Sequence, residues 1–373
     1  MGDALKSTPL GTWHEAHGAR MVPFAGFSMP VQYATGIQEE VRLVRNECGL
    51  FDISHMGRLV VRGAARVEAC DHVLSQNVGR IPEGAIRYAL VCTPEGTVVD
   101  DVLVYRGRDA INVVINAGGR EADEAWFREH AARFDISIEN VSDAQAMLAL
   151  QGPRSADLLQ PLTDVALGAL KYYRFTEGGL RGPKGAVPAM ISRTGYTGED
   201  GFELFFPVAH ARPIWEALVA AGASPIGLGA RDICRTEAGM PLYGHEMNLE
   251  ISPLEAGLDF GIDLEKPFVG RDALVRQKRA GVARRLVGLR VEGKRVPREQ
   301  CPLVLGDRPV GFVTSGTYSP TLDRPIAMAL VESALAREGE EFEADLRGKR
   351  VPVRVDGLPF YSRKRAKKSP GGQ

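Results

Sequence analysis

Asp100 and Asp101 stand side by side inside an apolar run, Val98-Val-Asp-Asp-Val-Leu-Val104. Adjacent residues of a strand face opposite sides, so one of the two carboxylates must point to a covered face or a cavity. An ionised carboxylate in such a place is costly without partners, which makes the pair a candidate for proton transfer or ligand binding. A loop-capping Asp at a sheet edge is the structural alternative. A second acidic feature is Gly195-Tyr-Thr-Gly-Glu-Asp-Gly-Phe-Glu203. Glycines recur there at every third position and would let the backbone approach a ligand closely. Glu203 opens a strand that would hold its carboxylate in place. The alternative, a calcium-type acidic turn, lacks the ligand spacing of an EF-hand loop. A third feature is Gly229-Ala-Arg-Asp-Ile-Cys-Arg-Thr-Glu-Ala-Gly239, which puts Arg231 and Arg235 four apart on one face of a helix. Two forked guanidiniums side by side suit a carboxylate or a polar heterocycle. An internal Arg/Asp/Glu ion-pair network is the other account of them.

Positioning these groups requires a scaffold, and the hydrophobic pattern predicts one. Strands are expected at Arg58–Arg62, at Arg87–Cys92 paired as a hairpin with Val98–Tyr105, and at Ile111–Ile115, which ends at Asn116. Helices are expected from Arg66 to Leu74 and from Arg120 to Ala132. Hairpins in place of strand–helix–strand crossovers imply an α+β fold with antiparallel sheets. A similar unit begins near Ala146. It has strands at Met147–Leu150, Ala186–Ser192 and Phe202–Pro207, and helices at Ser155–Leu162, Pro213–Ala221 and Leu228–Ala238. A short helix follows over Gly270–Arg279. From Leu286 on, short β-type runs separated by Gly, Pro and charged turns predict a small barrel or sandwich, with a boundary near residue 283.

Composition narrows the partners. The 373 residues hold 46 Lys+Arg against 47 Asp+Glu, a net charge of −1. A chain so nearly neutral has no field for holding nucleic acid. With 44% apolar residues it has ample material for a core and length enough for two or three domains. Five cysteines without a C-x-x-C pair are expected to be reduced and buried rather than zinc ligands. The seven histidines form no ligand cluster, and His14-Glu-Ala-His17 is one residue short of the H-E-x-x-H spacing. No G-x-G-x-x-G after a strand, phosphate loop or G-x-S-x-G elbow occurs. No signal peptide or stretch of about 20 apolar residues is evident, so a cytoplasmic protein without a membrane anchor is expected. Five of the six residues from Arg363 to Lys368 are basic and read as a solvated tail.

Several stretches, in order, carry a resemblance across nearly the whole chain. They are Phe24-Ala-Gly-Phe-Ser-Met-Pro-Val-Gln-Tyr33, Gly49-Leu-Phe-Asp-Ile-Ser-His-Met-Gly57, Gly96-Thr-Val-Val-Asp-Asp101 and Leu150-Gln-Gly-Pro153. Tyr196–Glu203, Ala230–Gly239 with Leu242-Tyr-Gly244, Phe268-Val-Gly270, Val313–Leu322 and Pro359-Phe-Tyr361 continue the series. Together they resemble the T-protein of the glycine cleavage system, a tetrahydrofolate-dependent aminomethyltransferase. The resemblance implies two intertwined α+β lobes, about 1–55 with 140–282, and 56–139. It adds a C-terminal β-barrel over 283–363 and leaves 364–373 as a basic tail. The three lobes would surround a central folate channel as a cloverleaf. The implied reaction takes the one-carbon unit from the aminomethyl-dihydrolipoyl arm of the lipoylated H-protein to tetrahydrofolate. It yields 5,10-methylenetetrahydrofolate, ammonia and dihydrolipoyl H-protein, with no metal.

The resemblance maps the family's essential aspartate onto Asp100. A held carboxylate can stabilise a cation developing on the transferred carbon, hydrogen-bond the reacting nitrogen and relay its proton. Glu203 would hold the N–H edge of the pterin, and Arg231 and Arg235 would fix the folate glutamate or brace Glu203. Asn116 would line the same pocket. Met56, Tyr88, Tyr196 and Tyr243 would form its walls, though core packing serves equally for each, and Tyr361 and Arg363 would close it. A monomer is expected. The alternatives are a related tetrahydrofolate-dependent demethylase or methyltransferase, or a non-catalytic folate-binding assembly factor. The last would carry K-G-C-Y-x-G-Q-E where this chain has Arg193-Thr-Gly-Tyr-Thr-Gly-Glu-Asp200.

Overall fold

The structure is a computed structural model that describes residues 4–182 and 185–366. The predicted tail therefore lies, from residue 367 on, outside the described residues; Arg363–Ala366 form one helical turn. The chain forms two compact units. One comprises Met1–Ala89 and Asp101–Arg231, the other Leu90–Asp100 and Asp232–Gln373. The mixed α+β character and the predominantly antiparallel sheets agree with the pattern read from sequence.

In the first unit a six-stranded sheet runs in the order Phe175–Gly182, Gly185–Ser192, Gly201–Pro207, Gln145–Gln151, Gly49–Asp52, Ser224–Pro225. All its neighbours are antiparallel except the last pair, which is parallel. Strand period decides what each residue of Gly201–Pro207 does. Phe202, Leu204 and Phe206 enter one core with Leu148, Leu150, Ile191 and Trp215. Glu203 and Phe205 take the opposite face. Helix Ala211–Ala220 closes the core through Ile214, Trp215 and Leu218, spaced as one helical stripe. A three-stranded sheet of Lys6–Ser7, Phe27–Gln32 and Arg20–Phe24 precedes it.

A five-stranded sheet has the order Ala85–Cys92, Val98–Arg106, Ile111–Ile115, Gly57–Arg62, Ser137–Asn140. Its first two strands form the expected hairpin. The hairpin's distal part, Leu90–Asp100, clusters with the second unit, so the chain passes between the units at Asp100–Asp101.

The second unit ends in a closed six-stranded barrel. Strand Arg284–Val291 pairs with Arg324–Glu332 on one side and with Lys349–Asp356 on the other, which settles barrel over sandwich. Val351, Val353 and Val355 point inward in strict alternation and meet Leu289, Val313 and Phe342. Cys48, Cys70, Cys92 and Cys234 are buried free thiols, and Cys301 is half-buried. Burial pushes Cys48 up to about 12, which keeps it an inert thiol. Among the described residues no helix is long and apolar enough to cross a membrane.

Candidate active site

The hairpin strand Val98–Arg106 separates its two aspartates. Val98, Asp100, Val102 and Val104 form its buried face, and Asp100 is 1% exposed. Asp101 is half-buried on the other face, where Asn116 donates Nδ2–H to its Oδ1 at 2.8 Å and to its carbonyl at 3.3 Å. Asn116 thus ends the neighbouring strand as expected, with its amide on Asp101.

Glu203 sits in the middle of the six-stranded sheet, opposite Ala149 on one neighbour and Ser192 on the other. It is 4% exposed. Burial raises its carboxyl above the ordinary carboxylate range, while hydrogen bonds from Thr194 and Tyr105 and the charge of Arg231 pull it down. Thr194 Oγ1–H donates to Oε2 at 2.6 Å and Tyr105 O–H to the same oxygen at 3.3 Å. Among the described residues no side chain donates to Oε1. Tyr105 is itself buried between Phe175 and Phe205, with ring centroids 5.4 and 5.5 Å away. Burial, reinforced by Glu203, holds its phenol protonated and therefore a donor.

Arg231 is half-buried and its guanidinium lies over the Tyr196 ring, 4.8 Å from the centroid. The loop that carries Tyr196 is pinned from three sides. Gln151 donates to Thr194 O at 3.0 Å and accepts from Thr197 Oγ1 at 2.9 Å. Arg45 reaches Thr197 O at 2.7 Å and Glu199 Oε1 at 3.0 Å. Arg193 grips both oxygens of Asp200. A Cβ at Gly195 or Gly201 would collide with the Gln151 side chain. The glycine spacing, expected to admit a ligand, is used at these two positions to admit an internal amide.

Arg235 has the second fate left open from sequence. It is 1% exposed and donates to Asp232 at 2.8 Å, Glu246 at 2.9 Å and Ser315 Oγ at 2.7 Å. Glu246 is fully buried. Removing one partner of a buried pair leaves the other charge uncompensated, at a cost of about 3–5 kcal/mol. Arg235→Ala is accordingly expected to lower unfolding stability by about that amount in a urea titration. A loss under about 1 kcal/mol would show that Glu246 does not depend on this guanidinium. Nearby in the chain, Glu237 accepts from Ser319 Oγ at 2.5 Å and Thr321 Oγ1 at 2.9 Å, and its carbonyl takes the N–H of Tyr361 at 2.7 Å. The Pro359-Phe-Tyr361 segment is thereby tied to the end of helix Leu228–Glu237. Tyr243, Tyr361 and Arg363 of this unit are half-buried, as are Met56 and Tyr88 of the other.

The first unit therefore brings Glu203 together with Thr194, Tyr105, Arg231 and Tyr196. Thr194 and Tyr105 were not singled out from sequence; Tyr105 reaches Glu203 across 98 residues, and no local pattern announces it. His55 belongs to the Gly49–Gly57 stretch, and no spacing in the sequence marks it as a site residue. Its imidazole is 2% exposed and stands edge-on to Phe24 and Phe27. Burial, with Arg231, Arg58 and Arg120, lowers it to about 3, so it stays neutral.

Residues 10–266 match the family model described as the GCVT N-terminal domain, and residues 284–362 match the glycine cleavage T-protein C-terminal barrel domain. An aminomethyltransferase of Moorella thermoacetica is 48% identical over 365 residues, covering 96% of this chain and 98% of the relative. One of Rubrobacter xylanophilus is 48% identical over 363 residues, covering 97% and 95%. The crystal structure of glycine cleavage system aminomethyltransferase T from Bartonella henselae superposes with a TM-score of 0.90 at 33% identity, covering 96% of this chain and 98% of that one. These comparisons do not favour the demethylase or assembly-factor alternatives. A model match over most of the chain, full-length identity near one half and a shared fold agree, and the chain belongs to the glycine cleavage T-protein family of aminomethyltransferases.

Proposed function

We propose that this chain takes the one-carbon unit from the aminomethyl-dihydrolipoyl arm of the H-protein to tetrahydrofolate, releasing ammonia, 5,10-methylenetetrahydrofolate and dihydrolipoyl H-protein. The observation that carries the reading is the Glu203 carboxylate, buried in mid-sheet with both of its protein donors on Oε2. Such a group fits the N–H edge of a pterin, because Oε1 is left to accept from it in a site of low polarity. Tetrahydrofolate, when bound, supplies the nitrogens that take up the one-carbon unit.

The protein's own groups divide the remaining work. Asp100, on the buried face of its strand, accepts a hydrogen bond from the reacting nitrogen, stabilises positive charge near its carboxylate and takes the proton released there. Arg231, its guanidinium over the Tyr196 ring, pairs with the folate carboxylates. Arg235 serves as an internal brace. Met56, Tyr88, Tyr196 and Asn116 line the folate site and keep water from it. In domain terms, 1–282 is the folate-binding region and 283–363 the barrel, and the protein acts as a cytoplasmic monomer without a metal. Reconstitution tests the whole reading. With lipoylated H-protein, glycine decarboxylase, glycine and tetrahydrofolate, ammonia release is expected to depend on adding this chain and tetrahydrofolate together. Release that proceeds equally without either one would overturn it.

A further inference from the structure

Glu203 is not held by one contact but stands at the end of a directional chain of hydroxyls. A carboxylate only accepts, so the single Thr194 proton must go to Oε2 at 2.6 Å. Ser192 Oγ lies 2.7 Å from Thr194 Oγ1, and with Thr194's proton spent, Ser192 is the donor of that bond. Ser192 is also the cross-strand partner of Glu203, so the sheet register itself sets the spacing. All three residues are at most 4% exposed. Hydrogen bonds aligned in one sense and shielded from water reinforce one another.

The geometry points to Thr194 as the positioning residue for the Glu203 carboxylate. Backed by Ser192 and assisted by Tyr105, it occupies Oε2 so that Oε1 is the oxygen offered to the folate. This rests on the pterin-holding role proposed for Glu203. The groups facing Glu203 are Tyr105 on strand Val98–Arg106, Arg231 on helix Leu228–Glu237, and Tyr173 just before strand Phe175–Gly182. Of these, Arg231 alone carries a charge, since burial keeps both phenols protonated. Burial raises the Glu203 carboxyl and the Thr194 bond opposes it. Removing the hydroxyl must therefore raise it further, and the acid loss of folate affinity must begin at a higher pH.

The test is tetrahydrofolate affinity, titrated from pH 5 to pH 8 on the full chain. Thr194→Val, which keeps the shape, is expected to weaken binding about tenfold at pH 7 and to move the acid limb upward. Thr194→Ser, which keeps the hydroxyl, is expected to stay within about threefold of wild type with its limb unmoved. Tyr105→Phe removes the longer donor and is expected to shift the limb the same way by less, which preserves the test should Thr194→Val fail to fold. If Glu203→Ala weakens binding while neither Thr194→Val nor Tyr105→Phe moves the limb, the positioning role is overturned and the pterin reading stands. If Glu203→Ala leaves affinity unchanged, the pterin reading falls and the positioning role falls with it.

Discussion

Asp100→Asn lowers the rate of methylenetetrahydrofolate formation by about 10²- to 10⁴-fold and leaves tetrahydrofolate affinity within a few-fold of wild type; this is the largest effect expected of any substitution here. The size follows from what Asn keeps and loses. It keeps the shape and a hydrogen-bonding oxygen on the buried face shared with Val98, Val102 and Val104. It loses the negative charge and the capacity to take a proton, and in surroundings of low polarity the charge counts for more than it would in water. Asp100→Ala removes the remaining hydrogen bond and is expected to be no faster. Asp101→Asn is the internal control. Asp101 is half-buried on the opposite face and receives the Asn116 amide, so its loss disturbs the placement of Asn116 and not the chemistry. A reduction of under about tenfold is expected there. Single-turnover kinetics with the preformed aminomethyl carrier separates chemistry from binding. Activity of Asp100→Asn within about threefold of wild type, or equal damage from Asp101→Asn, would remove Asp100 from the catalytic role.

The difference between these two aspartates was legible in the sequence because strand alternation is a local rule: one of the pair had to face inward, and it is Asp100. Glu203 was legible on another ground, as the acid that ends the glycine-rich loop and opens the strand Phe202–Pro207. What surrounds it was not. Thr194 lies nine positions back and Tyr105 comes from a different sheet, so their convergence depends on tertiary packing that no periodicity encodes. Helical spacing put Arg231 and Arg235 on one face. It could not tell that Glu246 and Ser315, eleven and 80 residues away, would enclose Arg235 while Arg231 stayed half-exposed over Tyr196. The glycines of the Tyr196 loop signalled a close approach correctly, but the approaching group is Gln151, on the adjacent strand. Turn spacing exposed the C-terminal strands. The pattern alone left barrel and sandwich open and only the resemblance implied the barrel, because closure rests on the pairing of Arg284–Val291 with a strand more than 60 residues further on.

Glu203→Gln is expected to weaken tetrahydrofolate binding about ten- to a hundredfold and, at the same time, to stabilise the unliganded protein at neutral pH. The first effect is the loss of a charge-assisted hydrogen bond, about 1.5–3 kcal/mol. The second follows from the sign of the titration. The folded-state carboxyl is raised, chiefly by burial, above the value it has in the unfolded chain. A group so shifted favours the fold below its unfolded pKa, and that contribution is lost as pH rises through the folded value. Above the ordinary carboxylate range the charged form of Glu203 therefore works against folding, and Gln relieves the cost while still accepting from Thr194. Thermal unfolding of the ligand-free variant at pH 7 should give a midpoint above wild type, with the gap narrowing as pH falls through the ordinary carboxylate range and Glu203 becomes protonated in both states. Added tetrahydrofolate should then stabilise wild type more than the variant, because the gain tracks affinity. A variant that binds as wild type does takes Glu203 out of the pterin site. One that binds poorly but melts lower at pH 7 would leave the binding role intact and refute the strain: the carboxylate would then be fully compensated by Thr194, Tyr105 and Arg231, and the site would be built for stability as well as for its ligand.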